Sequence, residues 1–149
     1  MADELKYTSE FDGSQIDALL NKVGLIADYV VDQYITGDRN KWSWRKWNSG
    51  VSECWGWFEF KISALIEWNA LSGNDYNIYG HETREPLSFP ENLFVRGTTG
   101  NVTMVNHVTG WASCRSLGNT SVYLRGYLTY TLTGDNTIIL GCSFKGMWK

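Results

Sequence analysis

Two histidines, three cysteines and a scatter of carboxylates are the side chains that could carry acid–base, nucleophilic or metal chemistry in this sequence. His81 and His107 lie near turn-like segments, and neither stands in a nucleophile motif. Ser113-Cys114 beside Trp111 offers a hydroxyl and a thiol, but no Gly-x-Ser-x-Gly turn surrounds them to expose either one. Cys54, Cys114 and Cys142 are odd in number, far apart and without a Cys-x-x-Cys pair, so they read as small buried apolar side chains. Combined with His81 or His107 they show no metal-ligand spacing. A glycosidase would need two neighbouring carboxylates. Glu53 and Glu59 project to one side of a strand, but their spacing corresponds to about 20 Å, whereas a glycosidase pair stands within roughly 10 Å. Glu59 and Glu67 fail likewise, and only a pair drawn from two different strands stays open. Gly97 and Gly100 belong to no phosphate-binding loop. The sequence therefore predicts no catalytic residue, no metal and no cofactor.

Aromatic side chains offer a different chemistry. Eight Trp, eight Tyr and six Phe are a surplus that suits strands, which favour aromatic residues, and also suits sugar binding; the composition requires only the first reading. Trp42, Trp44, Trp47, Trp55 and Trp57 crowd around one hairpin, with Trp42 and Trp44 alternating to one face and Trp47 to the other. That density points to core and cross-strand pairs before it points to a ligand. Trp111, beside Gly110 and small residues, and Tyr76 and Tyr79, in an irregular stretch, are the better exposed candidates for stacking a ligand.

The elements that must hold these residues follow from the hydrophobic pattern. With 149 residues, 43% of them apolar and 19% charged, the chain can bury a core and is not disordered throughout. Its net charge of −3 gives no electrostatic footprint for nucleic acid or an anionic membrane. No apolar run approaches a membrane span, and the polar start, Met-Ala-Asp-Glu-Leu-Lys, lacks the pattern of a signal peptide. Synthesis in the cytoplasm without the usual export is expected.

From residue 38 onwards the texture is that of β structure. Phe58, Phe60, Ile62, Ala64 and Ile66 alternate with polar residues; so do Val122, Leu124, Gly126, Leu128, Tyr130 and Leu132, and Ile138, Leu140, Cys142 and Phe144. Asn48-Ser49-Gly50 predicts a hairpin loop, and further breaks fall at residues 72–75, 97–100, 118–119 and 134–136. Residues 74–90, with Pro86 and Pro90, predict a long loop with one edge strand at most. The expected fold class is all-β, an antiparallel sandwich of the jelly-roll or lectin-like kind over residues 38–149.

Residues 1–37 predict an N-terminal arm and an oligomerisation or attachment helix. Asp12 and Gln15 have cap spacing, Phe11 and Ile16 staple spacing, and Gly37 with Asp38 supplies a stop. The helix should run from about residue 13 to 35. Ile16, Val23 and Val30 fall seven apart, as do Leu19, Ile26 and Gln33, which gives the a and d positions of a short heptad pattern. β-Branched Val23 and Ile26 favour a homotrimer, with packing of the helix on its own domain as the alternative.

The segment Trp44-Arg45-Lys46-Trp47-Asn48-Ser49-Gly50-Val51-Ser52-Glu53-Cys54-Trp55-Gly56 resembles a signature common in tail, baseplate and fibre-like proteins of phages and prophages of Gram-positive bacteria. The ending Lys145-Gly146-Met147-Trp148-Lys149 is similar to the Gly-Arg-Trp-Lys ending of those proteins, with Met147 in place of Arg. Phe11-Asp12-Gly13-Ser14-Gln15-Ile16-Asp17 is similar to the helix start found ahead of such domains. The resemblance implies a virion structural protein, often a trimeric appendage, partnered by other phage structural proteins and with a β domain that can bind a host-surface glycan. It transfers no ligand residues. A stand-alone carbohydrate-binding module and a small glycan hydrolase are the alternatives.

Overall fold

The computed structural model describes residues 14, 15, 18, 19, 21, 22, 28–73, 77–115 and 117–149. Among the described residues, ten strands form two antiparallel sheets: β1 (Val30–Tyr34), β2 (Ser43–Trp47), β3 (Val51–Lys61), β4 (Leu65–Ser72), β5 (Asn77–Thr83), β6 (Leu87–Ser88), β7 (Arg96–Met104), β8 (Trp111–Arg115), β9 (Ser121–Leu128) and β10 (Thr137–Met147). The first sheet has the order β1-β2-β3-β10-β7, and the second has β4-β5-β9-β6. β8 lies along the other edge of β9, since Tyr127 pairs with Gly80 of β5 and Trp111 of β8 at once. The fold is all-β and consistent with a β-sandwich.

Alternation dictates which face goes inward. In β9, Val122, Leu124, Gly126 and Leu128 are buried, while Ser121, Tyr123, Arg125 and Tyr127 are only partly so. In β10, Ile138, Leu140, Cys142 and Phe144 are buried. β10 keeps an unbroken register with β3, from Met147↔Val51 to Thr137↔Lys61. Core aromatics close the interior: Phe89 stands 5.0 Å from Phe94 and 5.1 Å from Phe144, and Trp42 stands 4.4 Å from Phe58. Each such side chain removed from water contributes about 1.5–3 kcal/mol. The hairpin at Asn48-Ser49-Gly50 forms between β2 and β3, and Gly50 takes a φ of +93° that a side chain would disfavour. The chain end closes on it: Trp148 donates its backbone N–H to Gly50 O at 2.9 Å and its indole Nε1–H to Trp47 O at 2.8 Å.

Three expectations change. The helix expected over residues 13–35 does not reach its end, because Val30–Tyr34 is strand β1, paired antiparallel with β2 from Val30↔Trp47 to Tyr34↔Trp44. Val30 and Gln33 are thus ladder residues, not coiled-coil layers; a Val-Val-x-x-Tyr-Ile run satisfies a strand as readily as a heptad, and the open edge of β2 decides it. Ile16, Val23 and Ile26 lie outside the described residues. Ser14, Gln15, Ala18, Leu19, Asn21 and Lys22 have helical backbone and are exposed, but they are scattered and define no helix element. Neither the helix nor the coiled coil has support among the described residues. Strand pairing also crosses the expected boundary between residues 37 and 38.

Second, the loop expected over residues 74–90 contains β5, an internal strand hydrogen-bonded to β4 and β9. Third, the alternation from Phe58 to Ile66 is not one strand. A 3-10 turn, Ile62–Ala64, separates β3 from β4 and moves the chain from the first sheet to the second. The turn reverses the parity: Leu65 is buried and Ile66 is 44% exposed.

Candidate functional site

The polar faces of β4, β5, β8 and β9 turn away from the core and make one continuous surface. Cross-strand register builds it in rows. One row runs Trp68↔Gly80↔Tyr127↔Trp111 across all four strands. The next runs Ile66↔Glu82↔Arg125↔Ser113, and a third holds Tyr123↔Arg115.

The first row is an aromatic platform. Trp111 stacks on Tyr127 with ring planes 11° apart and centroids at 5.4 Å. Trp68 meets Tyr127 edge-on at 6.0 Å, its indole lying in the space left by Gly80. Trp111 keeps 44% of its surface exposed. Stacking turns one face of Tyr127 to Trp111, so the flat surface suited to the apolar face of a sugar is the free face of Trp111, backed by Tyr127, and the ligand need not order either ring on binding.

The second row is charged. Glu82, 8% exposed at its side chain, accepts from Arg115 Nε at 2.9 Å and Nη2 at 2.5 Å, and from Arg125 Nε. The Arg115 guanidinium beside it, with help from Arg125, holds the Glu82 carboxyl below its usual range against the opposing effect of burial. Each arginine is also held by a ring: Arg125 lies 5.4 Å from the Trp68 centroid and Arg115 lies 4.5 Å from that of Tyr123.

Of the three stacking candidates read from the sequence, Trp111 belongs to this platform. Tyr79 pairs with Leu128, so it points to the opposite face of the sheet from Gly80 and Glu82, and Tyr76 lies outside the described residues. Trp68, Tyr127, Glu82, Arg115 and Arg125 were missed. The signal for part of them was present: the outward face of β9 reads Tyr123, Arg125, Tyr127, which is unusual for a merely solvated face.

The other chemically capable groups sit elsewhere. His81 is 1% exposed, and neither ring nitrogen has a hydrogen-bond partner among the described residues. Burial pushes its pKa below the ordinary value, opposed by Glu67. His107 is bound through Nδ1 to Tyr130 Oη at 2.7 Å and through Nε2 to Thr137 O at 2.9 Å. The cysteines are free thiols: Cys54 and Cys142 are buried, and burial raises both, Cys142 to about 12. Glu59 faces Arg39 at 2.6 Å and Glu53 faces Arg45 at 3.9 Å, so each of these two carboxylates has a cation as its partner. A cavity of about 200 Å³ lies between residues 36–43 and the Trp55–Trp57 stretch. Its buried Ser43 hydroxyl is already engaged with Thr36 in both directions.

The comparisons place no known protein beside this geometry: the chain matches no family model, no curated protein and no solved structure.

Proposed function

We propose that this chain is a non-enzymatic virion structural protein, a tail, baseplate or head appendage of a phage or prophage, and that its second sheet binds host-surface glycan. The observation that carries the binding half is the Trp68–Gly80–Tyr127–Trp111 row on an outward face. A lectin-like or jelly-roll sandwich would present a sugar in this way, on strands rather than on loops. The appendage half rests on the resemblance of residues 44–56 and 145–149 to phage tail and fibre-like proteins. A helix ahead of Asp28 would supply attachment and a homotrimer; light scattering of the intact chain and of a form starting at residue 28 tests it, and two monomers would remove the trimer.

The platform also favours a second reading, a carbohydrate-binding module that acts without a virion. Particle incorporation separates the two. An appendage is found in purified particles and is lost from them when residues 1–27 are deleted; a free module is not found there at all.

The glycan reading is tested by applying the intact chain to a glycan array. Binding is expected, with Trp111→Ala weakening it roughly tenfold or more, since stacking and burial of one ring contribute on the order of 1.5 kcal/mol. Trp57→Ala serves as the control, because Trp57 is 60% exposed on the other sheet. An array blank at high protein concentration overturns the sugar-binding role.

A further inference from the structure

We infer that the platform selects an acidic glycan, with Arg125 reading the carboxylate of a sugar that stacks on Trp111 and reaches past Tyr127. This rests on the glycan-binding reading above and adds the class of sugar.

The argument begins with position. Arg125 and Tyr127 share a face of β9 two residues apart, about 7 Å along the strand. The charged row therefore borders the aromatic row directly. A sugar on the free face of Trp111 that extends over the edge of Tyr127 would bring a substituent toward Arg125.

Charge gives the sign. The chain as a whole is acidic, at −3. This face is not: one carboxylate, Glu82, stands between two guanidiniums, Arg115 and Arg125. The pair of arginines outweighs the glutamate, and the surplus is positive.

Donor geometry then chooses between the arginines. Arg115 grips Glu82 with two nitrogens, Nε and Nη2. Arg125 uses Nε alone, and its two Nη groups make no hydrogen bond to the described residues. Its side chain is 29% exposed, so that edge reaches solvent. Glu82 on one side and the Trp68 ring 5.4 Å away fix the plane of the guanidinium. A planar fork already held in place is matched to a carboxylate, which accepts two parallel N–H donors, and loses little freedom on binding it. A cluster serving only to staple β5, β8 and β9 together would need one arginine per glutamate and no spare edge beside an aromatic platform.

Matched sugars test the inference, measured by saturation-transfer NMR and calorimetry on the intact chain: oligogalacturonate against its methyl ester, and sialyllactose against lactose. At low salt the acidic member of at least one pair should bind roughly tenfold tighter, as expected for one charge-assisted contact. The preference should shrink in high salt. Arg125→Gln should erase it, read as the ratio of acidic to neutral affinity within each pair. Should Arg125→Gln not fold, Ser113→Asp keeps the cluster and sets a competing carboxylate across from Arg125, and it should erase the preference equally. Equal binding of acidic and neutral members, still sensitive to Trp111→Ala, overturns the acidic class and leaves the glycan platform standing. A preference that survives both Arg125→Gln and Ser113→Asp also overturns it. Failure of all four sugars and of the array overturns the platform itself, and the acidic class with it.

Discussion

The indole of Trp68 lies directly on Gly80: a methyl group at residue 80 would stand 2.4 Å from Trp68 Cε2 and Cζ2. The two residues are register partners on β4 and β5, so the contact is a cross-strand pair in which one side chain covers the missing other. Gly80→Ala would drive the indole off the sheet and away from Tyr127 and Arg125. A loss of about 1–3 kcal/mol is expected, read as a lower urea midpoint, together with weaker glycan binding. Gly37→Ala, where nothing lies within 4 Å, should leave both unchanged.

Stability should depend on His81 in a defined pH window. Its folded pKa is lowered, so the unfolded chain binds the proton more readily. The stabilising effect is complete above the unfolded value near 6.5 and is lost as pH falls below it toward the lowered folded value. Denaturation between pH 7.5 and 5 should show this slope, at most about 1.4 kcal/mol per pH unit. His81→Leu should flatten it; an unchanged slope would assign the dependence to other groups.

Glu82 should act in a lower window. Its folded pKa is depressed chiefly by Arg115, so its contribution is present above the ordinary carboxylate range and is lost as pH falls through the depressed value. Glu82→Gln should cost on the order of 1–2 kcal/mol, between the cost for an exposed pair and that for a fully buried one, because both arginines are partly in water. Acid titration of stability below pH 5, compared between wild type and Glu82→Gln, checks this.

Much of the fold is legible in the sequence where a single strand carries the whole message. The stripe from Val122 to Leu128 and that from Ile138 to Phe144 sit inward as their alternation predicts, and Gly50 makes the predicted turn. Ambiguity enters where one short run suits two periods. Val30 to Tyr34 fits a heptad, and only the partner strand β2 makes it a ladder. Parity is lost at Ile62–Ala64 because a turn of three residues leaves no Gly or Pro as a mark. The candidate site was the least legible part. Trp111 could be singled out by its small neighbours, but Trp68, Tyr127 and Arg125 become one surface only through register between strands up to 59 residues apart, taking Trp68 and Tyr127 as the extremes.

Thiol reactivity gives a further check. Burial raises Cys54 and Cys142, so neither has appreciable thiolate at pH 8, and Cys114, half-buried and also raised, has little. Native protein should react with a thiol-specific reagent far more slowly than free cysteine, and three thiols should appear on unfolding. Fast native labelling of Cys142 would contradict the buried position of β10.

Trp148 fastens the segment after β10 to the β2–β3 hairpin, and Trp148→Ala, which keeps the backbone bond to Gly50, should cost about 2 kcal/mol through the lost indole hydrogen bond to Trp47 and a half-buried ring. A shift of the urea midpoint measures it.

The placement of β10 has a consequence for how the first sheet assembles. β10 comes after β3 and β7 in the chain, yet it fills the gap between them. Until β10 docks, β3 and β7 each keep a raw edge able to capture another chain. Pairing over such sequence distances is also slow. Closing this sheet is therefore a late step of folding, and a species in which β10 has not docked is a candidate for aggregation.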